Sequence, residues 1–322
     1  MDFTAKEKEM IRKADLALSD ITSDGGLLNP IQNDTFIDLV QDEPTLIKEV
    51  NLHRMNAPQE EINKIDIGSM IIKAARQSSS GSGRALTEAE RTKPTTSQIT
   101  LATTEIITEA RIRYEVLEDN IEKGRFEQTL MRQLAAAWAR DLERILIQAD
   151  TAVSAASGEE VLESFDGVLK LVTSKVVDAE GREADPVLFK VALDTLGRKY
   201  AQDRGALRFY SPFDIANDVR LKRSMRETGL GDTNVTGVGA LPIFGVNLQD
   251  LAFMNSGTML LGNPKNIILG FQRNMRVERD VDITKREHIF VATARIAIQL
   301  MDEPAFVKIE NVGTMALPEL DA

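Results

Sequence analysis

The chain has 322 residues, no cysteine, two histidines and a net charge of −11 at pH 7. The absence of cysteine excludes disulfides and thiolate metal sites, and the negative charge argues against a chain that binds nucleic acid through its overall charge. A hydrophobic content of 43% is ordinary for a soluble globular protein, and the sequence contains no apolar run of membrane-spanning length. We therefore predict a soluble, intracellular or assembly-borne protein with no membrane partner.

The N-terminal part of the chain predicts two short helices. Residues 3–21 place apolar side chains on one side of a short amphipathic helix, which ends at Gly25 and Gly26. A second short helix is predicted at Thr35–Val40. The first helix cannot bury its apolar side alone, so we expect it to dock on the body of the protein or on another chain.

Two segments, Ile62–Ala75 and Ile99–Val116, show partial alternation and predict the halves of a long β-hairpin. The polar stretch between them is flexible at Ser78–Gly83 and carries charges of both signs beyond it. Such a hairpin has little to bury on its own. The hairpin is therefore either flexible or packed on a neighbouring subunit. The length of the segment that forms it favours packing on a neighbouring subunit.

A long amphipathic helix is predicted from Phe126 to about Ala149. Apolar residues recur every fourth position at Phe126, Leu130, Leu134 and Trp138. The helix needs an apolar partner along its length, and spacing alone favours an ordinary core helix.

The next part of the chain predicts a mixed region. We expect a helix over Phe165–Val177, a turn at Asp178–Gly181 and a helical stripe from Leu188 to Tyr200. A short strand at Arg208–Ser211 precedes a helix that begins near Asp214. Its basic end favours a solvated face or intersubunit salt bridges over a phosphate-binding patch, and is formed by Arg220, Lys222, Arg223 and Arg226.

The C-terminal part is rich in predicted strands. Segments Met259–Leu261, Ile267–Phe271 and Met275–Val281 precede Ile289–Leu300, in which apolar and polar residues alternate. The apolar face of this last strand is the natural partner of the long helix.

The residues that carry chemistry do not form a recognisable catalytic motif. The pair Asp280 and Asp282 shares a strand face, which suits paired carboxylates, but solvated strand residues are the favoured interpretation. We predict no enzyme activity, no metal and no cofactor, and keep a soluble hydrolase built on these aspartates as a remote alternative.

The order of segments resembles the major capsid proteins of tailed bacteriophages, whose Hong Kong-type coat fold is shared with encapsulins. GGLLNPIQNDTFIDLV is similar to the arm of that family, the Ser/Gly-tipped hairpin to its extended loop, and VLEDN with the long helix to its spine helix. RETGLGDTNVTG resembles the late axial domain, and RNMRVERDVDITKREHIFVATARIAIQLMDEPAFVKI resembles the closing sheet.

The resemblance implies an α+β phage major capsid fold with an inserted axial domain. It divides the chain into an N-terminal arm (1–50), a peripheral domain with spine helix and antiparallel sheet (51–58, 110–158 and 259–315), an extended hairpin loop (59–109), an axial domain (159–258) and a tail (316–322). The implied function is self-assembly into hexamers and pentamers of an icosahedral shell around double-stranded DNA, in the virion and assembled in the bacterial cytoplasm. Implied partners are further copies, a portal protein and a scaffold, maturation protease or cement proteins. An encapsulin-type nanocompartment is the alternative.

The resemblance also implies which residues contact other subunits. The loop between Tyr200 and Arg208 is the candidate axis loop, and Lys93 and Asn311 are candidate counterparts of a cross-link found in some members. The predicted intersubunit contacts are Ser79, Gly81, Gly83, Arg84, Glu88, Glu90, Arg91, Lys93, Asp203, Arg204, Arg223 and Arg226.

Overall fold

A computed structural model describes residues 45–66, 95–115, 126–154, 156, 158–225 and 241–315. The helices predicted before residue 45, the Ser/Gly-rich hairpin tip and most of the Gly-rich stretch after Arg226 lie outside these residues. Among the helices described, none is both long enough and apolar enough to cross a bilayer.

The described residues form strands and helices that alternate along the chain. The helices are α1 (Phe126–Gln148), α2 (Val168–Leu171), α3 (Pro186–Leu196) and α4 (Phe213–Ser224). The strands are β1 (Asn51–Arg54), β2 (Gln59–Asp66), β3 (Thr95–Ala102), β4 (Thr104–Arg113), β5 (Val176–Asp178), β6 (Arg208–Ser211), β7 (Leu241–Ile243), β8 (Val246–Asp250), β9 (Met259–Gly262), β10 (Ile267–Asp282), β11 (Glu287–Leu300) and β12 (Val307–Glu310).

The strands are arranged in three sheets. A four-stranded sheet has the order β1-β10-β11-β4, and a six-stranded sheet has the order β5-β12-β9-β6-β8-β7. Strands β2 and β3 form a separate two-stranded hairpin. The strand order brings together segments far apart in sequence, so most of the fold depends on long-range contacts.

Helix α1 has 23 residues and lies at the predicted position. Its buried side chains include Trp138, Leu142 and Leu146, which belong to the same hydrophobic cluster as Ala292 and Ile296 of β11. The prediction that the apolar face of β11 and the long helix share one core is confirmed.

The six-stranded sheet separates two hydrophobic cores. Met259 and Leu261 of β9 belong to the core that contains the buried side chains of α3 and α4. Leu260 lies between them in sequence and belongs to the core of α1 and β11. Because successive strand residues point to opposite faces, both faces of this sheet are covered, which accounts for the completely buried β9.

The predicted hairpin is correct near its base but its second half ends earlier than predicted. Strands β2 and β3 are antiparallel, with Ile62 opposite Ile99. The chain then leaves the hairpin at Thr103, whose backbone N–H and Oγ1 both donate to the carbonyl oxygen of Pro58 at 2.9 and 3.0 Å. From Thr104 onward the chain is β4, which pairs with β11 at the edge of the four-stranded sheet.

The helix predicted over Phe165–Val177 is wrong in length. Only α2 is α-helical there, and strand β5 begins at Val176. The backbone N–H groups of Thr173 and Ser174 each donate to Oε1 of Glu303 at 2.9 Å. These bonds and the pairing of β5 with β12 are long-range, so they override the local helical spacing.

Candidate intersubunit surfaces

The base of the β2–β3 hairpin is attached to the body by a small apolar cluster. Leu101 is fully buried and contacts a cluster formed with Met55, Ile268 and Ala297. Farther along the hairpin, Ile65 is 66% exposed. The hairpin is therefore held at its base and presents apolar surface away from it.

Asp302 connects the hairpin with the end of α3. Its Oδ1 lies 2.7 Å from Nζ of Lys64 on β2, and its Oδ2 accepts a hydrogen bond from the hydroxyl of Tyr200 at 2.6 Å. Burial raises the pKa of Asp302, but the bonds from Lys64 and Tyr200 and the nearby charge of Lys199 outweigh this effect and lower the pKa. Asp302 is thus an ionised link between two segments predicted to contact other subunits.

The candidate axis loop starts where α3 ends. Tyr200, predicted as part of a helical stripe, lies beyond the helix because Gly197 has φ 87° and ends it. Asp203 and Arg204 are exposed on this loop, and Nη1 of Arg204 donates to the carbonyl oxygen of Phe244 at 3.1 Å. The loop is attached to the β7–β8 turn by this bond.

Lys222, in the basic end of α4, forms salt bridges within the chain. Its Nζ lies 2.7 Å from Oε2 of Glu183 and 2.9 Å from Oδ1 of Asp185. Partial burial lowers the pKa of Lys222, but the two carboxylates outweigh this and raise it. The lysine holds the segment before α3 against α4.

The arginines of the same helix end also bond within the chain. Nη2 of Arg220 lies 3.3 Å from Oδ1 of Asp250, and Arg223 donates to the carbonyl oxygen of Pro242 on β7. Arg226 lies outside the described residues. A solvated face or intersubunit salt bridges were predicted here, and within the chain Arg220 and Arg223 bind α4 to its own sheet.

Residues 45–50, at the base of the predicted arm, are tied to the core by two polar contacts. Oε1 of Glu143, a residue of α1 that is 6% exposed, accepts the backbone N–H of Leu46 at 2.9 Å. The buried Tyr210 hydroxyl donates to Glu49 at 3.0 Å, and burial, followed by the charge of Glu49, raises the pKa of Tyr210. Sequence reasoning missed both contacts, because each joins residues that are distant along the chain.

The other predicted positions are dispersed. Asp280 is exposed, and Asp282 accepts the backbone N–H groups of Thr284 and Lys285 at 3.0 and 3.1 Å, so it stabilises the β10–β11 turn. Asn311 has φ 56° and donates to Asp178 at 3.0 Å. The predicted contacts at the hairpin tip lie outside the described residues, namely Ser79, Gly81, Gly83, Arg84, Glu88, Glu90, Arg91 and Lys93.

Comparison with known proteins relates the whole chain to one kind of protein. It is 36% identical over 319 residues to prophage capsid protein YqbE of Bacillus subtilis (strain 168), and the match covers 95% of this chain and 99% of that relative. The chain belongs to the phage capsid protein family. No protein-family model matches the sequence.

Solved structures agree with this membership at the level of the fold. One similar chain comes from a procapsid of satellite phage P4 that includes the size determination (Sid) protein. It matches with a TM-score of 0.59 at 13% identity, and the match covers 87% of this capsid protein and 99% of the phage P4 chain. A chain of the holo-SrpI encapsulin complex from Synechococcus elongatus PCC 7942 has a TM-score of 0.57 at 11% identity. That match covers 86% of this capsid protein and 90% of the encapsulin chain. The fold is that of phage capsids and encapsulins.

The relationship also decides between a structural protein and an enzyme. The curated relative is a capsid protein, so this capsid protein is structural and not an enzyme. The hydrolase hypothesis based on Asp280 and Asp282 is not retained.

Proposed function

We propose that the protein self-assembles into hexamers and pentamers of an icosahedral shell that encloses double-stranded DNA. The base of the β2–β3 hairpin is the observation that carries this proposal. A two-stranded hairpin is marginally stable alone, and this one pairs with no third strand among the described residues while it exposes Ile65. A neighbouring subunit beneath the hairpin supplies the missing contact.

We further propose the domain division that the resemblance implies, with a peripheral domain around α1 and the four-stranded sheet and an axial domain at residues 159–258. The two hydrophobic cores support the main part of this division, because α1 and β11 share one core and α3 and α4 share the other. Helix α2, within residues 159–258, packs in the core of α1. Strands β9 and β12 belong to the proposed peripheral segments and pair with strands of the proposed axial domain. The two domains thus share one sheet.

The proposed shell encloses DNA without sequence-specific binding. A net charge of −11 supports a lining that does not hold the DNA tightly. Portal protein, scaffold, maturation protease and cement proteins are the expected partners, in a virion assembled in the bacterial cytoplasm.

The proposal is tested by light scattering of the purified protein, followed by electron microscopy. We expect rings of five or six subunits or closed shells. A monodisperse monomer or dimer at all salt and protein concentrations contradicts self-assembly.

An encapsulin-type nanocompartment is the second candidate, because an encapsulin chain has the same fold. Purified shells distinguish the two functions by their contents. Shells from phage-producing cells that contain nuclease-protected DNA support the capsid, and shells with a co-purifying enzyme and no DNA support the nanocompartment.

A further inference from the structure

One edge of the six-stranded sheet is an apolar groove with an acidic border. Strand β5 forms this edge, and beside it lies a cavity of about 360 Å³ that extends to α3. Val176, Val187 and Val191 are 43%, 62% and 43% exposed at this edge. Four carboxylates line the cavity, those of Asp178, Glu180, Glu183 and Asp185.

These four carboxylates outnumber the two cations beside them, which are Arg182 in the lining of the cavity and Lys222 of α4. Glu183 and Asp185 are shared with Lys222, whereas Asp178 accepts the backbone N–H of Glu180 at 2.9 Å and the amide of Asn311 at 3.0 Å. These hydrogen bonds lower the pKa of Asp178. The β5 edge therefore combines apolar surface with negative charge at neutral pH.

The opposite edge of the same sheet has two arginines, Arg204 and Arg223, against one exposed carboxylate, that of Asp203 next to Arg204 in the chain. Strands β7 and β8 are joined by the turn Phe244–Gly245, in which both residues have positive φ, at 50° and 84°. The side chain of Phe244 is 48% exposed at this turn. Arg204 donates to the carbonyl oxygen of Phe244, and Arg223 donates to that of Pro242 in the same strand pair.

The two edges are separated by five interstrand spacings, which is about 24 Å. An acidic apolar edge and a basic apolar edge on opposite sides of one rigid sheet are complementary to each other but not to themselves. Contact between different patches of identical chains is head-to-tail and closes into a ring when the rotation permits. Complementary charge fixes the register of such a contact.

We propose that the Phe244 edge of one subunit, with Arg204 and Arg223, docks against the Val187–Val191 groove of the next copy of this chain, and that this contact joins subunits into rings. The inference rests on the proposed self-assembly. It adds which two surfaces meet in the head-to-tail contact that such rings require.

Two variants each disable one edge. Val187→Lys places a cation in the acidic groove, and Arg204→Glu reverses the charge beside Phe244. Each variant alone is expected to remain a monomer by light scattering at concentrations where the wild type forms rings. An equimolar mixture should form dimers and nothing larger, because each partner keeps one intact edge.

Two control variants keep the apolar surface at position 187 and the positive charge at position 204. Val187→Ile retains the apolar surface and Arg204→Lys retains the charge, so both should assemble like the wild type. Phe244→Asn suits the left-handed backbone and removes the apolar contact, so it should reduce assembly without loss of secondary structure by circular dichroism.

The outcomes separate this inference from the proposed function. If Val187→Lys and Arg204→Glu form rings as readily as the wild type, the edges do not meet and the inference is wrong, while self-assembly stands. Folded monomeric variants whose mixture stays monomeric also overturn it. A wild type that never assembles contradicts the proposed function itself.

Discussion

Nζ of Lys64 lies 2.7 Å from Oδ1 of Asp302, with the two side chains 28% and 22% exposed. This ion pair joins the hairpin to the turn after β11, and the Tyr200 hydroxyl bonds to the other oxygen of the same carboxylate. The base of the hairpin and the start of the candidate axis loop therefore share one charged group.

Lys64→Met should loosen the hairpin without unfolding the protein. A partly exposed ion pair contributes about 1 kcal/mol, so amide hydrogens of β2 and β3 should exchange roughly fivefold faster. Hydrogen exchange with mass spectrometry measures this effect. Lys190→Met is the matched control, because its pair with Asp194 is 67% exposed on both sides and lies within α3. If the amide hydrogens of β2 and β3 exchange at the same rate in Lys64→Met and in Lys190→Met, Asp302 does not hold the hairpin in place.

Acid should release the same link. The folded pKa of Asp302 is below its ordinary value of 3.8, so its contribution is complete above that value and is lost as pH falls through the lower folded value. Protection of β2 and β3 should therefore be constant above about pH 5 and decline below about pH 4. In Asp302→Asn the protection should be lower throughout and should lack this step. If protection of β2 and β3 still declines below about pH 4 in Asp302→Asn, other carboxylates and not Asp302 cause the effect of acid.

Glu143→Ala should destabilise the protein through the segment that follows the arm. The substitution leaves the buried N–H of Leu46 without its acceptor, which costs roughly 1–3 kcal/mol of unfolding free energy. Urea unfolding followed by fluorescence of Trp138, the single tryptophan and only 4% exposed, reports the loss. Glu143→Gln retains an acceptor oxygen and should lose less. Similar losses in both variants indicate that the charge matters and not the hydrogen bond.

Gly262→Ala should be strongly unfavourable although it adds one methyl group. A Cβ at Gly262 would lie 2.1 Å from Cδ1 of Phe306, which is fully buried. Overpacking of this kind costs about 1–3 kcal/mol, and thermal unfolding should show it. Phe306→Leu combined with Gly262→Ala should recover part of the loss. Gly205→Ala, where the nearest atom lies at 3.4 Å, is the control and should leave the melting temperature almost unchanged.

Periodic segments with a wide apolar face were predictable from sequence. The four-residue spacing up to Trp138 predicted α1, and the alternation from Phe290 to Ile296 predicted both β11 and its buried face. Each pattern lies within one continuous element, so local spacing contains enough information to assign it.

Contacts that join distant segments were not predictable. Glu303 determines the path of Thr173 and Ser174, and Asp302 binds Lys64, yet no local pattern marks either acid. The same reason explains why the two charged edges of the six-stranded sheet escaped sequence reasoning. Arg204 and Arg223 were predicted as contacts, but their position beside Phe244 depends on the strand order.

The position of β12 has a consequence for synthesis of the protein on the ribosome. Strand β12 lies between β5 and β9, although it follows both in the chain. A nascent chain that has reached β9 cannot join β5 to the rest of the sheet until Val307–Glu310 has emerged. The β5 edge therefore takes its final place only after the residues up to Glu310 have been translated, so an assembly contact at this edge cannot form earlier.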